Sequence, residues 1–231
     1  MITPALVQAQ VVDIRDPASA TPPDLVADAN VLYWLFYPNF SSLTYARGVR
    51  DATPVQFPNY SAYWKRAARA GTRYHVAAAT IGEFAKTAEY AELEAVWLTD
   101  PTSPQPDPSN PVTEFSPRMT KFARYQYAGQ LRIIRNAVRT MVDSLRKSVL
   151  LLDQLPTADD LHRESVAEWL SSVGDFPDAV LVAAAKHHGR PHILSDDMDL
   201  ATFAGVTLYT SNPNAIRIAG AAGKLLAPPV P

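Results

Sequence analysis

Carboxylates recur in this chain at places that a folded sheet would bring together. Residues 177–200 read PDAVLVAAAKHHGRPHILSDDMDL. Asp178 opens an apolar run that closes on Lys186, His187, His188 and Gly189, a basic last turn and a glycine stop that together mark a helix end. A short apolar strand at 192–194 runs into Asp196, Asp197 and Asp199. Far upstream, residues 24–37 (DLVADANVLYWLFY) place Leu25 and Val26 in a buried strand and Asp28 at its end. Val31, Leu32, Leu35 and Phe36 then follow at helical spacing until Pro38. Glu83 falls in the first turn of a helix expected over 80–98, behind a strand at 73–78. In an open parallel α/β sheet, strand ends and the starts of the following helices share one rim, where ligands bind.

Like charges gathered on such a rim repel and raise one another's pKa values, so keeping several ionised calls for a cation. Hard divalent ions such as Mg²⁺ or Mn²⁺ take oxygen ligands. Two ions about 3.5–4 Å apart can activate a water and stabilise a leaving oxygen, which suits phosphodiester hydrolysis. The chain has no cysteine and no histidine pair spaced for zinc. Each acid also has an ordinary explanation. Glu83 follows Thr80 in the T-x-x-E pattern of a capping box. Asp178 sits behind Pro177 where the helix dipole favours an acid, and Asp175 suits the N-cap of the same helix. Asp197 and Asp199 fit a polar turn, and Asp199 fits the cap of a short helix at 200–204. The coincidence of Asp28, Glu83, Asp178 and Asp197, each at a strand end or helix start, is what favours a site.

The elements that must position these acids alternate. Strands are expected at 25–26, 73–78, 149–152, 192–194 and 206–209. Helices are expected at 31–36, 59–70, 80–98, 117–147, 159–171 and 178–188. Such alternation means a three-layer α/β/α sandwich around a mainly parallel sheet of about five strands. Residues 24–210 read as one domain with insertions near 40–58 and 100–147. The second insertion opens with a proline-rich extended segment. Residues 1–23 read as an N-terminal extension in which 6–14 suits an edge strand. Residues 211–231 read as an extended or loosely docked tail. At 231 residues and 47% apolar the chain is that of a globular protein, and its net charge of -2 means that any basic surface is local. Neither a membrane-length apolar run nor a basic-then-apolar leader is visible, so a cytoplasmic protein without membrane partners is expected.

Taken in order, D-A-N-V-L at Asp28, T-I-G-E ending at Glu83, D-A-V-L-V-A-A-A at Asp178 and I-L-S-D-D-M-D-L through Asp197 resemble the PIN-domain nucleases. The resemblance covers most of 24–209 and is weakest over 40–58 and 100–147. It implies a PIN-like α/β fold and a ribonuclease dependent on Mg²⁺ or Mn²⁺, in which Asp28, Glu83, Asp178 and Asp197 are catalytic and bind the metal. By the same resemblance Asp199, Asn30 and Ser195 are auxiliary. It implies an RNA substrate and, as in many bacterial members, a toxin neutralised by an antitoxin partner.

Two other readings compete: a non-catalytic RNA- or protein-binding module that keeps the fold, and a phosphotransfer enzyme of another α/β family. A nucleophilic aspartate of the latter kind usually has a second aspartate two residues on, where this chain has Asn30. Within 117–147, eight cations face a single acid, Asp143. Arg132, Arg135 and Arg139 are the residues there best placed for phosphate contacts, although a solvated face or a homodimer contact would use the same pattern. Tyr33, Trp34 and Tyr37 suit base stacking or core packing.

Overall fold

The computed structural model describes residues 2–38, 56–102, 117–152 and 158–228. Most of the expected loop at 40–58 and of the proline-rich stretch at 100–117 lies outside them, but residues 56–58 belong to a helix and not to the loop, and Pro117 opens another. The strand at the centre is β2 (Asp24–Ala27), whose Leu25, Val26 and Ala27 are fully buried. A strand apolar on both faces needs cover on both, and alternate side chains supply it. Leu25 and Ala27 join a core built with α1 (Ala29–Phe36), α2 (Gln56–Arg69), α3 (Ala78–Thr99) and α5 (Ala128–Arg146). Val26 points the other way, into a core built with α7 (Phe176–His187) and α8 (Pro213–Ala221). Helix α6 (Ala158–Ser171) is pinned to α7 by Lys186, whose Nζ lies 2.6 Å from Glu168 Oε1.

The remaining strands are β1 (Gln10–Asp13), β3 (Arg73–Val76), β4 (Leu150–Leu151), β5 (His192–Leu194) and β6 (Thr207–Thr210). They form one sheet in the order β1-β6-β5-β2-β3-β4, every pairing parallel. The three-layer α/β/α expectation holds, but the strand number is six rather than five, because residues 10–13 pair with β6. Val11 and Val12 are both buried there, one on each face. The sheet therefore begins before residue 24, and its cover continues past 210. The expected loose tail is instead helix α8, capped by the Asn212 side chain and burying Ile216, Ile218 and Ala219. Lys224 and Leu226 then hydrogen-bond to Val11 along the outer edge of β1.

Two further expectations change. The expected long basic helix is two, α4 (Pro117–Gln126) and α5, broken at Tyr127. Tyr127 turns inward, and its hydroxyl donates to Asp100 Oδ2 at 2.8 Å. The third strand is not a buried one: β4 is a two-residue edge strand with Leu150 51% exposed. Among the described residues no helix is long and apolar enough to cross a membrane.

Candidate functional site

The chain leaves β2 toward β3 and β4 on one side, and β5 and β6 lie on the other. The reversal between β2 and β5 is the switch point of the sheet, where loops diverge and leave a crevice beyond the strand ends. Register sets what stands there. Val26 pairs with Ile193 and Ala27 with Leu194, so Asp28 and Ser195 are the next residues out on neighbouring strands. The Asp28 backbone N–H donates to Leu194 O at 3.1 Å, which continues the ladder by one rung.

Ser195 is fully buried and joins the two sides. Its Oγ donates to Asp28 Oδ2 at 2.6 Å and accepts from the Asp197 backbone N–H at 2.9 Å and from Asn30 Nδ2 at 3.2 Å. The other Asp28 oxygen accepts from the Ala29 N–H at 2.6 Å, making Asp28 the N-cap of α1. Asp197 caps the following 3-10 helix, Met198–Thr202, by accepting from the Asp199 N–H at 2.9 Å. The cap of that helix is thus Asp197 rather than Asp199, which lies in its first turn.

Helix α7 reaches the crevice with its N-terminus. Asp175 is the N-cap as expected, its carboxylate accepting from the Asp178 N–H at 3.0 Å, and Asp178 Oδ2 accepts in return from the Asp175 N–H at 3.3 Å. Asp178 therefore serves the start of its own helix and from there also lines the crevice. Helix α3 starts two residues earlier than expected, at Ala78, with Ala77 as an N-cap that makes no side-chain bond. The Thr80–Glu83 capping box does not form, Glu83 lies in the second turn, and its carboxylate carries no capping duty.

The outcome is a cleft of about 450 Å³ lined by Asp28, Asn30, Glu83, Asp175, Asp178 and Asp197, with Phe176 and Pro177 on its wall. All four expected acids reach it, from four separate segments. Asp199 does not line it. Arg132, Arg135 and Arg139 also stand apart from it, exposed on α5, and Arg135 is paired with Glu89 at 3.0 Å. His187 and His188, at the C-terminal end of α7, are likewise outside the cleft.

The acids feel their burial and one another. Burial pushes the Asp28 carboxyl up to about 6 against the lowering pull of its Ser195 and Ala29 hydrogen bonds, and the charges of Glu83 and Asp197 add to the rise. Asp178 is raised to about 8 by burial, then by Asp197, Asp175 and Asp28. Asp199 is raised by burial and by Asp197 and Asp175. The donor set is oxygen throughout, the kind Mg²⁺ or Mn²⁺ takes. Among the described residues, however, no three acids or histidines already stand close enough to hold one ion.

Two positions that sequence reasoning passed over support this rim. Tyr60, buried on α2, donates to Ser195 O at 2.9 Å and to Asp196 Oδ1 at 3.0 Å, and accepts from the Ser211 N–H at 3.1 Å. Burial, with Asp196 beside it, raises its hydroxyl far above the ordinary tyrosine range, and burial likewise lifts Asp196 to about 6. Nothing in the sequence marks one tyrosine of ten for this post. Gly174 packs against Phe203, and a Cβ there would lie 2.5 Å from the Phe203 ring and 3.2 Å from Asp178 Oδ2. A glycine just ahead of the Asp175 cap was the available signal for a close approach.

Comparison with protein-family models, with curated proteins and with solved structures gives no match, so the site rests on its own geometry.

Proposed function

We propose that the acid cleft hydrolyses RNA phosphodiester bonds with Mg²⁺ or Mn²⁺ bound among Asp28, Glu83, Asp178 and Asp197. One observation carries the reading: four carboxylates from distant parts of the chain converge on a single cleft at the switch point of the sheet. Burial first, and the neighbouring acids after it, disfavour the charged form of these carboxyl groups, and a bound cation would favour it. A divalent ion would supply a polarised phosphoryl oxygen and a water acidic enough to attack at neutral pH. The chain's own part is positioning. Ser195 and the Ala29 N–H hold Asp28 in one orientation before any ligand arrives. Asn30 lines the same cleft, with its amide tied to Ser195. Glu83 stands free of helix capping and can swing inward on its long side chain.

A second reading is a binding module that keeps the fold without the chemistry. It draws on one observation: among the described residues no three acids or histidines are already grouped as ligands of one ion. Incubation with mixed RNA and DNA, in Mn²⁺ and then in EDTA, separates the two. The nuclease reading expects RNA cleavage by the wild type in Mn²⁺, stopped by EDTA and absent in Asp197→Asn. No cleavage, together with no heat of Mn²⁺ binding by calorimetry, would leave the binding module.

A further inference from the structure

The acid cleft is not alone along α3. Three residues after Glu83, at the spacing that makes side chains neighbours on a helix surface, Lys86 enters a second cleft of about 500 Å³ walled by α3, α4 and α5. Lys86, Lys121, Arg124 and Arg135 line it together with Tyr90 and Tyr125, and among the described residues no carboxylate does. Glu89 holds two of the cations side by side, accepting from Arg124 Nε at 2.7 Å and from Arg135 Nε at 3.0 Å. Among the described residues those guanidinium groups bond only through Nε, so their terminal nitrogens remain for an oxyanion. Lys86 and Lys121 have no carboxylate partner among the described residues. On the outer side of α4, Tyr125 is 76% exposed and Phe122, one turn earlier, is 64% exposed. In a protein of net charge -2 this is a concentrated positive field beside bare aromatic rings.

We infer that this second cleft holds the phosphates of a single RNA strand adjacent to the bond cut in the acid cleft, with Tyr125 as a platform for an unpaired base. The inference rests on the hydrolytic reading above. Cations along a groove track a polyanionic backbone, and rings at its lip stack bases of any identity. An acidic protein surface would use the cations but would have no matching use for the rings. Continuity comes from α3, which presents Glu83 to one cleft and Lys86 to the other within a single turn of about 5.4 Å.

The test is fluorescence anisotropy of a labelled single-stranded RNA on the full chain in EDTA, so that cleavage plays no part. Lys86→Glu with Lys121→Glu leaves the Glu89 pairs intact. The double variant is expected to weaken binding about tenfold or more, and to lower the slope of log affinity against log salt by about 1.4, at about 0.7 per lost contact. Tyr125→Ala is expected to lose about fivefold or more and carries the test if the double variant melts early. Lys65→Glu with Arg69→Glu on α2 makes the same charge change away from the cleft and is expected to bind as the wild type does. Equal affinity of the cleft and control variants would overturn the inference, as would polyglutamate binding as tightly as RNA, or no RNA binding at all. The hydrolytic reading is scored separately, by wild-type hydrolysis of bis(p-nitrophenyl) phosphate in Mn²⁺. If that diester is cleaved while RNA stays unbound, only the strand cleft falls. If RNA binds at the cleft while neither substrate is cleaved, the hydrolytic reading falls and with it the adjacency to a cut bond, leaving the cleft as a strand-binding site.

Discussion

Replacing Asp28 by asparagine should make the metal-free protein more stable while removing its activity. The folded chain holds the Asp28 proton more tightly than the unfolded chain does, with a pKa raised from 3.8 to about 6. Stability from this residue is therefore intact below about pH 4 and is lost as pH rises through about 6. The full loss is on the order of 3 kcal/mol above pH 7, at about 1.4 kcal/mol per unit. Asparagine keeps the shape and carries no charge. One of its two polar atoms can still accept from the Ala29 N–H; the other becomes an NH₂ group facing Ser195 Oγ, which must then turn its own proton toward Asn30 Oδ1, 3.5 Å away. That rearrangement gives back about 1 kcal/mol. The net gain is about 2 kcal/mol at pH 8, or about 4–8 °C in Tm for a domain of this size; it passes through zero at about pH 4.5 and turns into a loss of up to about 1 kcal/mol below that. Thermal unfolding in EDTA from pH 4 to pH 8 reads it directly. Added Mn²⁺ should then raise the Tm of the wild type more than that of the variant, which has lost one of the four carboxylates proposed to hold the ion. A variant that melts lower than the wild type at pH 8, or a difference that does not grow with pH, would mean that the carboxylate is not under charge strain and that the case for a cation is misplaced.

Ser195→Ala removes the donor to Asp28 and the acceptor for Asn30 and the Asp197 N–H in a fully buried position. It should cost about 2–4 kcal/mol in urea unfolding and weaken Mn²⁺ binding, though serine touches no ion in this reading. Gly174→Ala places a methyl 2.5 Å from the Phe203 ring and against Asp178. A loss of about 1–3 kcal/mol with weaker Mn²⁺ binding by calorimetry is expected, whereas unchanged metal affinity would separate Asp178 from the site. Tyr60→Phe leaves Ser195 O and the Ser211 N–H without their buried partner. The expected drop is about 1–3 kcal/mol in the urea-unfolding free energy, with RNA-cleavage rates reduced less than by Ser195→Ala.

Asp28, Asp178 and Asp197 were legible in the chain because strand ends and helix starts are local events. An apolar run, a turn residue and a cap announce them within a few positions, and a parallel sheet then forces such places onto one rim. The register of β2 against β5 made Ser195 the hydrogen-bond partner of Asp28 and tied Asn30 to Ser195. That register follows from packing both faces of β2, and no short window contains it. The same limit hid the pairing of β1, legible as an edge strand within 6–14 but with a partner almost two hundred residues away, and the burial of α8. It hid the break at Tyr127 as well, because the bond that turns the chain comes from Asp100. The placement of Glu83 went the other way. Its T-x-x-E pattern allowed a cap, and only the start of α3 at Ala78 released the side chain. Residue types and local spacing decided that carboxylates would stand at the rim. Long-range pairing and burial decided which of them share a cleft, how far each is driven from its ordinary pKa, and which cations lie beside it.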